Sequence, residues 1–226
     1  MNKLNKILVL AMFSMASLVS NVSADSSIFA GPYVAIQASV VGVEVDGSHT
    51  DSTLDTKKTT NATPGMVGNM GSAQVGFNQA LSEMAFITAG LTYTPTGDAK
   101  FAAKSLGGTV ASFDLTLSDI KEVFIEPSFM VTSNAAVFLH LGMSEADISV
   151  KGSDVTNKTT TLDGQTIALG LKLVTDTNVF IKAEGGMTTF DNLKVTGILD
   201  GDGGSTATAK GDPTVAFGTV SVGYKF

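Results

Sequence analysis

Apolar and polar residues alternate with a period of two through most of this chain. From Ala216 to Phe226, one set of alternate positions is small, apolar or aromatic throughout, whereas the other includes Thr219, Ser221 and Lys225. A period of two indicates a β-strand whose two faces meet different surroundings. Sustained apolar spacing at i, i+3 and i+4, which would indicate helices, is missing after the first residues of the chain. The pattern therefore predicts an all-β protein.

Eight alternating segments can be marked off, and clusters of turn-forming residues separate them. The predicted strands are approximately Tyr33–Val45, Gly68–Asn78, Met84–Thr94, Phe113–Val131, Ala135–Val150, Thr166–Val174, Asn178–Val195 and Thr214–Phe226.

The connections between these strands alternate in length. Residues 78–83, 132–134 and 175–177 form short connections, whereas the others are longer and rich in Gly, Thr, Asp and Lys. Outer-membrane barrels have short periplasmic turns and long extracellular loops, and an even strand count leaves both chain ends on the periplasmic side. The fold predicted is a transmembrane, antiparallel, up-and-down β-barrel of about eight strands. Its long connections are expected at residues 46–67, 95–112, 151–165 and 196–213.

Charged residues of the later strands fall on the face opposite the large aliphatic side chains. Lys182 and Glu184 alternate with small or apolar residues on the seventh strand, and Lys172 does so on the sixth. A Lys or Arg at the bilayer midplane costs about 2–4 kcal/mol, so in a membrane barrel these side chains must face the lumen. A register shift of one residue would move all of them into lipid.

Two residues of the fourth strand fit this rule less simply, because both share its apolar face. Pro127 cannot donate a hydrogen bond to a neighbouring strand, so we expect a bulge or a local break there. Lys121 must lie at or beyond the outer boundary of the membrane.

Tryptophan is absent, so an aromatic girdle has to come from Tyr and Phe. Its expected members are Tyr93, Phe129, Tyr224 and Phe226.

The first 24 residues have the composition of a secretory signal peptide. Lys3 and Lys6 precede the apolar stretch 7–18, and the segment ends in Val22-Ser23-Ala24. A short basic region, an apolar stretch too short to span and a small-x-small ending predict export with cleavage after Ala24. We therefore expect residues 25–226 to form a single barrel domain. The rest of the chain contains no apolar run long enough for a membrane-spanning helix.

Composition excludes several functions. The chain has no cysteine, which removes thiol metal sites, disulfides and cysteine nucleophiles. Its formal net charge is −7 and basic residues are not clustered, which argues against nucleic acid as a partner. We therefore predict no cofactor, no metal site and no nucleic-acid partner.

The C-terminal sequence Val220-Ser221-Val222-Gly223-Tyr224-Lys225-Phe226 resembles the C-terminal signature of bacterial outer-membrane proteins, with Val220, Val222, Tyr224 and Phe226 on alternate positions. The resemblance implies recognition by the barrel-assembly machinery. Gly31-Pro32-Tyr33-Val34-Ala35-Ile36 is similar to the opening strand of small OmpA-, OmpX- and OmpW-like barrel domains. That resemblance implies an outer-membrane location, in contact with membrane lipids and lipopolysaccharide, and leaves the oligomeric state open.

An eight-stranded barrel has an interior just wide enough for side chains to fill. Polar residues on the inward face would therefore form a structural plug, or line a gated conduit whose constriction is Glu126, Lys182 and Glu184. Phe86, Phe124, Phe138, Phe180 and Phe217 share the inward parity and would obstruct passage. The predicted lumen network consists of Glu122, Glu126, His140, Lys172, Lys182 and Glu184, with Gln37, Gln74 and Lys225 as further candidates.

Three functions follow from this reading. The first is a structural or surface-interaction role in the cell envelope. The second, implied by resemblance to OmpW-like barrels, is a narrow channel for small or apolar solutes. The third is a lipid-modifying barrel enzyme.

Small lipid-A hydrolases carry a Ser two residues from a His on a strand, whereas the residue two after His140 is Gly142. His49, near Asp51 and Ser52, resembles only faintly the loop residues of a palmitoyl-transferring barrel. We therefore predict no catalytic residues.

Overall fold

The computed structural model describes residues 25–52, 57–62, 65–96, 101–102, 113–152, 155–198 and 206–226. The predicted signal peptide, residues 1–24, lies outside the described residues. A single turn of 3-10 helix, Ser26–Phe29, precedes the first strand, and no described helix is long and apolar enough to cross a bilayer. The strands are β1 (Gly31–Ser52), β2 (Lys57–Ala62), β3 (Gly65–Ser82), β4 (Ala85–Thr96), β5 (Phe101–Ala102), β6 (Phe113–Met130), β7 (Ala135–Gly152), β8 (Val155–Val174), β9 (Val179–Phe190), β10 (Leu193–Ile198) and β11 (Thr206–Lys225).

The strands form one closed antiparallel barrel of eight walls. Neighbours in sequence pair in turn, and β1 closes the barrel by pairing with β11 from Tyr33↔Lys225 to Ser52↔Thr206. Three short strands continue longer ones beyond a break: β2 continues β3 against β1, β5 continues β4 against β6, and β10 continues β9 against β11. The up-and-down barrel predicted from the alternation is confirmed.

One end of the barrel, the turn end, carries the short connections 83–84, 131–134 and 175–178 and both ends of the described chain. Backbone hydrogen bonds from Phe226 N to Pro32 O and from Lys225 N to Asn178 O, both 2.9 Å, tie the last strand to its neighbours. This end corresponds to the periplasmic side of outer-membrane barrels.

The opposite, extended end differs from the prediction. Long connections were expected there, but residues 46–52, 57–62, 155–165 and 206–213 belong to paired strands, so the predicted lengths of these connections are wrong. Three of these segments, 57–62, 155–165 and 206–213, are rich in Thr, whose branched side chain favours extended backbone. β1 has 22 residues, whereas about 9–11 cross a bilayer. The walls therefore continue well past the membrane.

An apolar belt covers the outer surface next to the turn end. Alternate outward residues of the walls are apolar there, as the sequence parity predicted, and most are exposed. On β7, Val137 and Leu141 are half-buried and Leu139 is 4% exposed although its register places it outward. The exposed large apolar residues are Val34, Ile36, Val40, Val67, Val75, Phe77, Leu81, Leu91, Tyr93, Val123, Ile125, Met143, Leu169, Leu171, Leu173, Ile181, Met187, Val220, Val222, Tyr224 and Phe226.

The belt ends where charged outer residues begin. Lys121 Nζ lies 3.6 Å from Glu145 Oε1, and both side chains are exposed. Beyond this level the two faces exchange polarity: on β7, Glu145 and Asp147 point outward, whereas Ala146 and Ile148 are buried inside. A bulge between Ser118 and Lys121, where Asp119 has φ 51°, changes the parity of β6 at the same height. The barrel thus has a lipid-facing part and an extension built like a soluble barrel.

Pro127 interrupts the wall as expected. Pairing between β6 and β7 stops after Ile125↔Leu141 and resumes at Ser128↔Phe138 without a change of register. Because proline has no amide hydrogen, this position cannot contribute to the ladder with β7. The break leaves the inward and outward faces of β6 unchanged on its two sides.

Inside the barrel, aromatic rings lie over glycines of neighbouring strands. The Phe138 ring faces Gly170, where a Cβ would lie 2.3 Å from the ring, and Phe180 covers Gly223 in the same way. The lumen is narrow enough that a large side chain on one strand requires a minimal one beside it. Glycine is therefore needed at these positions for close approach.

We predict that Gly170→Ala destabilises the barrel, because the added methyl meets both the Phe138 ring and, at 2.6 Å, the carbonyl oxygen of Ala183. The expected loss in free energy of unfolding is about 1–3 kcal/mol, measured by urea titration in lipid vesicles. Gly218→Ala is the matched control, since no described atom lies within 4 Å of its Cβ position. An equal effect of both substitutions would contradict this account of lumen packing.

Candidate functional site: an ionic layer across the lumen

Six ionisable side chains from four walls meet inside the barrel. Glu122 and Glu126 come from β6, His140 from β7, Lys172 from β8, and Lys182 and Glu184 from β9. The inward parity of these strands directs all six into the lumen, where five are less than 7% exposed and Glu122 is 14% exposed. We call this group the ionic layer.

Glu126 is the central anion of the ionic layer. Its Oε1 accepts a hydrogen bond from Lys182 Nζ at 2.8 Å, and its Oε2 accepts one from Lys172 Nζ at 3.1 Å. The two lysines are direct cross-strand partners on β8 and β9. Like charges at such a pair of positions repel each other and destabilise the sheet. All three side chains are at most 2% exposed. Glu126 thus bridges two like charges on walls with which its own strand does not pair.

His140 lies between carboxylates on both sides of its ring. Its Nδ1 is 3.0 Å from Glu126 Oε1 and 3.7 Å from Glu184 Oε2, and its Nε2 is 3.4 Å from Glu122 Oε2. The ring stacks on Phe124 with centroids 4.8 Å apart. His140 is therefore held in a fixed orientation within the layer.

Amide and hydroxyl groups extend the ionic layer around the barrel. Gln74 Oε1 accepts from Lys182 Nζ at 3.3 Å and from Tyr33 Oη at 3.2 Å, and Lys172 Nζ also donates to Thr88 Oγ1 at 3.2 Å. Gln37, predicted as a lumen residue with Gln74, donates to Ser221 Oγ at 3.1 Å. These contacts give the buried lysines several acceptors, which a buried charge requires.

Aromatic rings enclose the ammonium groups. Lys172 Nζ lies 5.4 Å from the Phe86 centroid and 5.5 Å from that of Phe138, and Lys182 Nζ lies 5.2 Å from the Phe138 centroid. Cations within about 6 Å of a ring face gain cation–π attraction, which is larger where water is excluded. The rings therefore stabilise the charges as well as filling space.

A lower apolar layer closes the lumen between the ionic layer and the turn end. The 3-10 helix enters this end: Phe29 stacks on Phe86 at 4.8 Å, and Ser26 Oγ donates to the Ser82 carbonyl at 2.5 Å. Asn78 Nδ2 donates to the carbonyl of Phe29 at 2.9 Å. This helix is a part of the closure that the strand pattern did not predict. The lower apolar layer consists of Phe29, Tyr33, Ala35, Phe86, Met130, Ala136, Val174 and Phe180.

A cavity of about 90 Å³ lies on the other side of the ionic layer, toward the extended end. Glu122, His140 and Glu184 line its floor, and Ser, Thr and Gln side chains line its walls. Above it, the interior becomes apolar again. This upper apolar layer consists of Val41, Val43, Met70, Leu117, Ala146, Ile148, Leu162, Phe190, Leu193 and Val215.

The sequence contained a signal for the upper apolar layer. On β7 the large aliphatic positions and Met143 are odd-numbered from Val137 to Met143, whereas Ala146, Ile148 and Val150 are even-numbered. Such a phase change places apolar residues on opposite faces before and after it. The predicted strand Ala135–Val150 spans this change of phase.

The other residues singled out from the sequence lie apart from the ionic layer. Val220, Val222, Tyr224 and Phe226 are exposed on the outer surface at the turn end, where the Tyr224 and Phe226 rings meet edge to face at 5.3 Å. His49 lies on β1, and its side chain is outside the described side chains. Phe86, Phe124, Phe138 and Phe180 are buried in the lumen and Phe217 is partly buried, as their parity predicted.

Comparison with protein-family models and with curated proteins found no match. Solved structures do match in fold. The outer membrane protein OprG from Pseudomonas aeruginosa aligns with a TM-score of 0.58 at 13% identity, covering 91% of this chain and all of that one. The outer membrane protease OmpT from Escherichia coli has a TM-score of 0.47 at 9% identity, covering 86% and 97%, and outer membrane protein AlkL has 0.39 at 15%, covering 92% and 95%.

The closed barrel, its apolar outer belt and the likeness to OprG define the class: a small integral β-barrel of an outer membrane. Resemblance to small outer-membrane barrels and an outer-membrane location were both predicted from the sequence, and both are confirmed.

We predict that Lys182→Met lowers the free energy of unfolding by about 3–5 kcal/mol, because it leaves Glu126 short of a partner in a buried site. Lys121→Met, which removes an exposed ion pair with Glu145, should change it by less than about 1 kcal/mol. Urea titration in vesicles measures both. Similar losses at the two positions would show that the buried ion pairs of the ionic layer stabilise the barrel no more than an exposed ion pair does.

Proposed function

We propose that this protein is a closed outer-membrane barrel with a structural or surface-interaction role in the cell envelope. The observation that carries the proposal is the bridge from Glu126 to Lys172 and Lys182 across the lumen. A passage for solutes would require this bridge to break, which would leave buried charges without partners. Each such charge costs several kcal/mol.

Two further features support a closed lumen. The lower apolar layer fills the space between the ionic layer and the turn end, and the 3-10 helix is anchored there by hydrogen bonds to β3. Toward the extended end, the upper apolar layer occupies the interior. A solute would have to displace side chains in all three layers.

The extended end supports the interaction part of the proposal. Paired strands carry the walls past the apolar belt, with exposed charged residues such as Glu145 and Asp163 on their outer face. A rigid, polar extension outside the membrane presents a preformed surface to the surroundings. We propose that surface contacts of the protein are made there.

Planar-bilayer recording of the refolded protein tests the proposal, with heat-modifiable gel migration confirming a folded barrel. We expect no discrete conductance from the wild type. A wide porin recorded in the same bilayers is the positive control, because a barrel of 16–18 strands leaves an aqueous channel.

Discrete openings of the folded wild type that change on Glu184→Gln would overturn the closed-barrel proposal. They would favour the narrow channel, with the cavity above the ionic layer as its vestibule.

We also propose that the outer-surface residues Val220, Val222, Tyr224 and Phe226 are read by the barrel-assembly machinery. Phe226→Ser should lower the amount of folded barrel in the outer membrane of cells while leaving refolding into vesicles unchanged. Met187→Ser, which removes another exposed apolar side chain of the belt, is the control. Equal loss in both variants, or loss of refolding in vitro, would contradict a specific assembly signal.

A further inference from the structure

We propose that Glu126, His140 and Glu184 form a binding site for one divalent transition-metal ion at the floor of the lumen cavity. One ligand atom from each of these residues lies within 4.8 Å of the others. His140 Nδ1 is 3.0 Å from Glu126 Oε1 and 3.7 Å from Glu184 Oε2. Metal–ligand bonds of about 2.0–2.2 Å at tetrahedral angles separate two ligands by roughly 3.3–3.6 Å. The two separations from His140 Nδ1 are close to this range, and the ion would replace the hydrogen bond between Nδ1 and Glu126 Oε1.

A buried atom without a partner points to a ligand at this position. Among the described residues, the buried side-chain atoms that lack a hydrogen-bond partner are Glu184 Oε2 and His140 Nε2. Both residues line the cavity, and their side chains are 6% and 3% exposed. Buried polar atoms normally have partners, and a cation bound between this carboxylate oxygen and the imidazole nitrogen would supply one.

Glu122 completes the arrangement on the far side of the imidazole. Its Oε2 lies 3.4 Å from His140 Nε2. A histidine that ligates a metal through one nitrogen usually donates its other N–H to a carboxylate, which fixes the tautomer and orients the ring. With Nδ1 on the ion, Nε2–H faces Glu122. His140 Nε2, which has no hydrogen-bond partner in the structure, thus gains one after a small movement toward Glu122.

While His140 is neutral, as a metal ligand must be, the charges of the layer favour a cation. Three carboxylates then face two ammonium groups, and Lys182 Nζ already holds Glu126 Oε1 at 2.8 Å and Glu184 Oε1 at 3.4 Å. Oε2 of Glu184 points away from that contact and toward His140. The ion would therefore bind on the side of the two carboxylates that faces His140 and not on the side that faces Lys182.

The donor set selects the kind of ion. Imidazole nitrogen with carboxylate oxygen suits zinc, copper, iron or nickel, whereas calcium takes six to eight oxygens. Three protein donors leave coordination positions for water, and a cavity of about 90 Å³ beside the donors holds more than one water molecule. The proposal therefore excludes a site selective for calcium.

Isothermal titration of Zn²⁺ into the refolded, tag-free barrel in detergent tests the site. We expect one ion per chain. Glu184→Gln should weaken binding by at least as much as Glu122→Gln, for which a loss of about 10–100-fold is typical of an outer-shell carboxylate. Glu145→Gln, which removes an exposed carboxylate of the outer face, should leave the affinity within about twofold of wild type.

Replacement of a buried residue can prevent folding, so a second measurement leaves the ionic layer intact. In His49→Asn, His140 is the remaining histidine of the sequence. Electron paramagnetic resonance of this variant with one equivalent of Cu²⁺ should show coupling to a single imidazole nitrogen. Absence of that coupling, or absence of saturable one-to-one Zn²⁺ binding by the wild type, overturns the metal site. Neither result depends on whether the barrel conducts.

Discussion

The double ion pair of Glu126 with Lys172 and Lys182 is the interaction on which the interior of this barrel depends. Lysines on neighbouring strands face each other directly across β8 and β9 and cannot turn outward without entering lipid. Glu126 reaches them from β6 with one carboxylate oxygen each. This contact joins walls that do not pair with one another. The position of the surrounding rings, amides and hydroxyl groups follows from it, because each packs against a charge that is already fixed.

A second constraint comes from the change of surroundings along the barrel. Next to the turn end the outer face meets lipid, so apolar residues lie outside and the ionic layer lies inside. Beyond Lys121 and Glu145 the outer face is charged, and the inside becomes apolar, as at Ile148 and Leu162. The same strands thus cross lipid in one part and water in the other. Apolar residues lie on the outer face in the first part and on the inner face in the second. The cavity lies where these two arrangements meet.

The alternation of apolar and polar residues determines how much of the fold and of the ionic layer could be predicted from the sequence. Alternation fixes which face a residue occupies, so the inward direction of Lys172, Lys182 and Glu184 and the interruption at Pro127 were predictable. Alternation does not fix distances across a lumen, and the partner of Glu126 was therefore not predictable. Thr-rich segments at the extended end were interpreted as connections because polar composition resembles a loop, whereas β-branched residues next to a strand continue it. The 3-10 helix carries no periodic signal, and its capping hydrogen bond, which Ser27 N–H donates to the Asp25 carboxylate, is local.

The most direct test of the ionic layer is a double-mutant cycle between Glu126→Gln and Lys182→Met, measured as free energies of unfolding in vesicles. If the two side chains form one buried pair, the double variant should be more stable than the sum of the single losses implies. The expected coupling is about 1–3 kcal/mol. Losses that add within about 0.5 kcal/mol would show that the residues act independently. In that case the bridge across the lumen would not be the interaction that holds the barrel interior together.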